Sequence, residues 1–227
     1  MPDSIKKQEK ALFEEWKKSD PCFEKGFVSD GVVDEEAFRA APRRIVYLLK
    51  EVNDEVDLVW VLCEFLREGG RGYTWDNITR WTEGILDRGI DWAELKIITE
   101  ERRKETLRKI AVVNLKKTPG GSSASIKSIQ AAARRDRERI EEQLSLYDPD
   151  YIICCGTGVG DIFLQDVLQK EPPFWQETSF ERLGYRIGYR QEKGPLIISY
   201  WHPQARKKME ELYNALLDTL QEAEGGK

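Results

Sequence analysis

The stretch Ile45-Val46-Tyr47-Leu48-Leu49-Lys50-Glu51-Val52-Asn53-Asp54 limits the kind of fold this chain can build. Its first five residues are apolar without alternation and lie between Arg43-Arg44 and Lys50-Glu51. A strand with one face in water alternates apolar and polar side chains, whereas one without alternation is covered on both faces. The pattern returns in Ile110-Ala111-Val112-Val113-Asn114, in Tyr151-Ile152-Ile153-Cys154-Cys155 and in Leu196-Ile197-Ile198-Ser199-Tyr200. A further late strand is expected at 185–189. Helical patterns fill the intervals: 4–19, a short segment opened by Asp34 and closed by Pro42, 58–66, 75–86, 92–108, a charged stretch reaching 146, 161–169 and 203–222. Strands alternating with helices predict an α/β fold, a three-layer α/β/α sandwich with a central, mostly parallel, roughly four- to five-stranded sheet. A single domain over 1–227 is expected, with 1–42 a helical extension packed on it.

Apolar residues make up 40% of the 227, with seven tryptophans, enough for a filled core. A net charge of −5 argues against a protein that coats nucleic acid by charge alone, since such binding draws on clustered Lys and Arg. A local basic face stays compatible with it. Cys22, Cys63, Cys154 and Cys155, with a single histidine, lack the paired spacing of a zinc site. Reduced core thiols are expected at Cys154 and Cys155, which lie in an apolar run, with no metal or other cofactor. The first residues are charged and no run approaches a membrane span, so the expectation is a cytoplasmic monomer without membrane contact.

In parallel sheets ligands lie beyond the carboxyl ends of the strands. That directs attention to 51–54, 114–117, 156–158 and 202–206. His202 follows a strand and precedes Pro203, a suitable first helical residue. It is either structural or functional. Asn114 either caps a turn or offers its amide to a base edge. Glu51 and Asn53 are either turn chemistry or groups that position a water nucleophile. Gly156 opens a tight Gly-Thr-Gly turn whose amides could hold a phosphate. From Lys116 and Lys117 to Arg139 there are seven basic residues against two acidic ones, beside Ser122 and Ser123 of a Gly/Ser loop. The segment is either a solvated helix face or a seat for a nucleic-acid backbone.

Taken together, these strand ends resemble the uracil-DNA glycosylase superfamily. The best local match is to its iron–sulfur, thermostable branch. Lys50-Glu51-Val52-Asn53-Asp54 stands where that branch has G-E-A-P-G. Gly70-Arg71-Gly72-Tyr73-Thr74-Trp75 is similar to its G-R-P-F-V-G, and Ala111-Val112-Val113-Asn114 to its strand ending in Asn. Residues 139–144 with 151–156 are similar to its L-E-E-Q-L and V-I-V-x-L-G, and Ser199-Tyr200-Trp201-His202-Pro203 to its T-Y-H-P. The likeness runs from about Arg44 to Arg206. It implies hydrolysis of the bond between a damaged or deaminated base, uracil or similar, and deoxyribose after base flipping. It also implies a DNA partner, single-stranded or a damaged duplex.

By the same likeness His202 would stabilise the departing base, Asn114 would read its polar edge, and Tyr73 or Trp75 would stack on it. Glu51, or Asn53, would position water. Lys116, Lys117, Ser122, Ser123, Gly156, Gln204 and Arg206 would contact DNA, Arg206 as a wedge. Val52 occupies the position that several branches give to a water-activating Asp or Asn, and the cluster cysteines are absent, so no cluster is expected. The alternatives are a catalytically silent nucleic-acid binder of the same fold and a nucleoside- or nucleotide-processing enzyme.

Overall fold

The computed structural model describes residues 4–53, 60–88, 90–121, 125–177, 188–190 and 194–225. The strands are β1 (Val28–Ser29), β2 (Gly31–Val32), β3 (Ile45–Leu49), β4 (Trp60–Val61), β5 (Ile110–Asn114), β6 (Tyr151–Cys155), β7 (Gln176–Glu177), β8 (Gly188–Arg190) and β9 (Leu196–Tyr200). The α-helices are α1 (Ile5–Lys18), α2 (Glu35–Ala40), α3 (Leu62–Arg67), α4 (Tyr73–Leu86), α5 (Trp92–Leu95), α6 (Glu100–Leu107), α7 (Ile126–Tyr147), α8 (Val159–Ile162) and α9 (Met209–Gly225).

The four long apolar runs form the parallel centre of the sheet, in the order β5-β3-β6-β9. Short antiparallel strands extend it to seven: β2 beside β5 at one edge, β8 and β7 beyond β9 at the other. The edge strand β2 has only two residues, too short to leave a periodic trace in the sequence. Helices cover both faces, so the chain has the expected α/β/α layering.

Alternation along each strand divides the core. Ile45, Tyr47, Ile110, Val112, Ile153, Ile198 and Tyr200 join Ile78, Trp81, Leu212 and Leu216 of α4 and α9. Val46, Leu48, Ala111, Val113, Ile152 and Ile197 join Leu12, Phe13 and Trp16 of α1 and Ile129 and Ile140 of α7. Each face therefore buries its own set, and a one-residue slip of any central strand would exchange the two sets. The amino-terminal segment belongs to this packing, because α1 fills one layer and β2 hydrogen-bonds to β5.

Several elements differ from the sequence reading for identifiable reasons. The helix expected at 92–108 breaks into α5 and α6. Ile97, Ile98 and Thr99 are β-branched and disfavour helix, and the Thr99 hydroxyl accepts from Arg102 N to cap α6. Arg80 then donates to the carbonyls of Leu95 and Lys96 that the break exposes. The last helix starts at Met209 rather than at Pro203. The Pro203 carbonyl is instead taken by Asn77 Nδ2 of α4 at 2.7 Å. After α8, Phe163–Val167 forms a π-helix whose buried Asp166 accepts from Gln130 and Arg134 of α7. The segment expected at 58–66 contains β4 before α3, and its first two positions lie outside the described residues. Of the strand expected at 185–189, only 188 and 189 are described, in β8.

Candidate functional site at the carboxyl edge

The chain runs from β3 to β5 on one side, then returns across β3 to β6 and on to β9. The winding reverses between β3 and β6, where a parallel sheet opens a crevice at its carboxyl edge. The segments flanking that crevice are Lys50–Asn53 after β3, Gly156–Gly158 after β6 and 202–206 after β9.

His202 lies across Gly156. A Cβ added at Gly156 would fall 3.5 Å from both Cβ and Cδ2 of His202. Gly156 also has φ +102°, a conformation that other residues rarely adopt. The glycine thus permits the turn and admits the ring. His202 Nδ1 accepts from Gln204 N at 3.1 Å. Packing against the turn desolvates the ring, and Lys50 adds a like charge, so both lower the pKa below its ordinary 6.5. At neutral pH the imidazole is uncharged, and with Nδ1 accepting, its proton resides on Nε2. The site therefore holds a neutral N–H donor on a residue that is otherwise exposed.

Glu51 projects from the neighbouring loop and its side chain is only 6% exposed. Lys116 Nζ donates to its Oε2 and also to the Pro119 carbonyl at 3.3 Å. The carboxylate rests on Gly120, where a Cβ would lie 2.1 Å from its Cδ. Gly120 N donates to the Val52 carbonyl, and Asn53 forms a bridge with Gly120. The loops after β3 and β5 are thereby locked together, with an ion pair at their centre. The Asn53 residue is exposed.

Tyr73, at the start of α4, is 46% exposed. It lies one turn before Asn77, on the same helix face, and Asn77 binds Pro203 beside His202. Its ring is free to stack on a planar ligand. Trp75 is not: it is 8% exposed, packs edge-on to Phe65 and covers Gly70. The stacking role expected of Trp75 is replaced by a core role, because its ring is enclosed between Phe65 of α3 and the turn at Gly70.

Asn114 and Lys117 also depart from expectation, since both are 0% exposed. Lys117 Nζ donates to Asp30 Oδ1 and Oδ2 at 2.6 and 2.8 Å and to Gln143 Oε1 at 2.8 Å. It lies 5.1 Å from the Trp16 ring and 5.9 Å from Phe13. A cation so enclosed cannot reach a phosphate. Burial lowers its pKa, and Asp30 opposes that shift. Asn114 donates to the same Asp30 Oδ2 from its backbone N at 2.7 Å and from Nδ2 at 3.1 Å. It is held beneath the carboxyl edge rather than on an open wall, and β3 and β6 separate its strand from β9. The amide at 114 and the imidazole at 202 therefore do not share one open slot.

Gln204 and Arg206 are exposed near His202, and Lys116 is engaged by Glu51. Ser122 and Ser123 lie outside the described residues. Sequence reading missed Asp30, Lys50, Asn77 and Ile126. Asp30 precedes a glycine and reads as turn chemistry, and nothing local announces a lysine 87 positions away as its partner. Ile126 is 41% exposed and lies against Gly158 at the crevice.

A groove of about 460 Å³ opens at the other end of the sheet, where Ile152 and Ile197 begin their strands, between Leu144, Phe163, Leu164 and Leu168. Its lining is mostly apolar, and the polar groups described above converge at the opposite edge, so it is not the candidate site. Among the described residues no cluster of three metal-ligating side chains occurs, and no helix is long and apolar enough to cross a membrane. Compared with known proteins, the chain matches no family model and no curated relative.

Proposed function

We propose that the crevice between β3 and β6 receives a nucleobase flipped from DNA and hydrolyses the bond joining it to deoxyribose. The observation that carries this reading is His202, a neutral imidazole at a strand end whose Nδ1 is occupied and whose Nε2–H has no hydrogen-bond partner among the described residues. In the reaction a water oxygen bonds to the sugar C1′ while the C1′–N bond breaks. The bonding pair leaves with the base, and the water's proton goes to a nearby acceptor or to solvent. A fixed N–H aimed at a base carbonyl stabilises the negative charge as it develops, and one such donor is worth about 2.7–4 kcal/mol. Tyr73 supplies a stacking surface, and Glu51 or Asn53 orients the water.

The test is incubation of the protein with single-stranded and duplex oligonucleotides carrying uracil or hypoxanthine, followed by alkali. Strand breaks with the wild type and none with His202→Ala support the reading. Absence of breaks with a folded protein across both lesions refutes hydrolysis.

A second reading, binding without hydrolysis, is favoured by one observation: Glu51 is already committed to Lys116, and Val52 follows it. That reading expects salt-sensitive binding of the same oligonucleotides without product. Release of base from free nucleosides, with no action on oligonucleotides, would support the small-molecule alternative.

A further inference from the structure

Arg80 of α4 is 4% exposed, yet the three oxygens it donates to are all neutral. Its Nε donates to the Leu95 carbonyl at 2.8 Å, Nη2 to the Lys96 carbonyl at 3.0 Å and Nη1 to Asn77 Oδ1 at 3.0 Å. The first two bonds close the break between α5 and α6. The third reaches a second buried residue one turn back on the same helix. Asn77 is 1% exposed, and its Nδ2 donates to the Pro203 carbonyl at 2.7 Å. A guanidinium only donates and a carbonyl only accepts, so the amide has one orientation, oxygen to Arg80 and nitrogen to Pro203.

The Pro203 carbonyl belongs to the turn that carries His202. Within that turn Gln204 N donates to His202 Nδ1 at 3.1 Å, Ala205 N to the His202 carbonyl at 2.8 Å and Lys207 N to the Ala205 carbonyl at 2.8 Å. These bonds are local: they keep the shape of the turn and travel with it. The bond from Asn77 spans 126 positions and ties the turn to α4. The same helix presents Tyr73, so Tyr73, Asn77 and Arg80 stand at i, i+4 and i+7 along one stripe. One rigid element therefore carries the exposed ring and holds the turn that packs the imidazole on Gly156.

We infer that Asn77 is a positioning residue of the candidate site: oriented by Arg80, its amide sets where the His202 ring stands relative to Gly156 and Tyr73. The placement of the ring is independent of what the site binds; its consequence for catalysis rests on the proposed function. With the bond to Pro203 made, the ring stays packed on Gly156 and out of water. With it removed, the turn is free to lift, the ring regains water and Nε2–H loses its fixed direction. A displacement of about 1 Å at a reacting group can cost about a hundredfold in rate.

Asn77→Leu removes both bonds of the amide but leaves Arg80 one acceptor short. The test therefore also uses Asn77→Leu/Arg80→Met, which leaves no buried charge behind. Thr82→Val is the control, since it deletes a buried hydrogen bond of the same helix, 3.0 Å to the Tyr47 hydroxyl of β3. His202 is the single histidine, so its ring signals titrate alone in an NMR spectrum. Lys50, Arg206 and Lys207 keep their charges in every protein compared. The wild type and Thr82→Val are expected to titrate below 6.5, and the two Asn77 variants at a value raised toward 6.5. A folded Asn77 variant with the wild-type titration overturns the inference. An equal rise in Thr82→Val also overturns it, because the shift then reports general loosening.

Kinetics on a uracil-containing oligonucleotide give the second readout. A loss of about tenfold or more in kcat, with KM within about threefold, is expected for Asn77→Leu/Arg80→Met. A rise in KM with kcat unchanged overturns the positioning role. A folded wild type without activity refutes the proposed function, and the titration then decides the inference by itself.

Discussion

Lys117→Ala separates two meanings of a lysine at a strand end. On the surface, a phosphate-binding lysine could be removed with a stability change within about 0.5 kcal/mol. Here the ammonium is 0% exposed, three hydrogen bonds hold it to Asp30 and Gln143, and two aromatic rings lie beside it. Removing one partner of a buried pair costs about 3–5 kcal/mol, because the other charge stays buried and uncompensated. In a chain of this size each kcal/mol moves the melting temperature by about 2–4 °C, so Lys117→Ala is expected to melt about 6–20 °C lower. Denaturant unfolding monitored by tryptophan fluorescence, with the thermal melt as a second readout, gives the loss directly. The partner experiment is Asp30→Asn/Lys117→Met, which removes both charges and is expected to recover most of the loss. A cost below about 1 kcal/mol for Lys117→Ala, accompanied by a shallower salt dependence of DNA binding, would refute the buried-pair reasoning and return Lys117 to the surface.

Two pH dependences follow from the groups around the fold. Uracil release or binding is expected to stay flat above pH 6.5 and to fall only as His202 takes a proton below that value, because its pKa is lowered in the folded chain. The same shift means that stability contributed by the neutral ring is complete above 6.5 and is lost as pH falls through the folded value. A pH–activity profile whose acidic limb is centred above 6.5 would contradict the neutral donor. At the amino terminus, burial pushes the Glu35 carboxyl up, but hydrogen bonds from Ser4, Lys6, Ile5 and Arg39 outweigh it and bring the pKa to about 2. A depressed carboxyl stabilises the fold above its unfolded pKa, so the docking of α1 should weaken between pH 4.5 and about 2. Hydrogen exchange of α1 amides across that range, compared with Glu35→Gln, checks it: equal acid sensitivity in both proteins would remove Glu35 from the account.

The layered α/β architecture and all four central strands are legible in the order of residues alone. Ile45–Leu49, Ile110–Asn114, Tyr151–Cys155 and Leu196–Tyr200 are apolar on both faces, and that burial is written into consecutive residues. The same order places His202 at a strand end, since a strand followed by His-Pro is a local pattern. Which side chains face one another depends on the packing of distant segments. Asn114 and Lys117 look like an exposed edge in the chain, yet both turn inward to Asp30, an acid brought to them by a two-residue edge strand that carries no periodic signal. Trp75 reads as a stacking aromatic and lies in the core because α3 and the turn at Gly70 close over its ring. Hydrophobic periodicity is a property of neighbours in sequence, whereas ion pairs and hydrogen bonds between distant segments depend on where the folded backbone brings them.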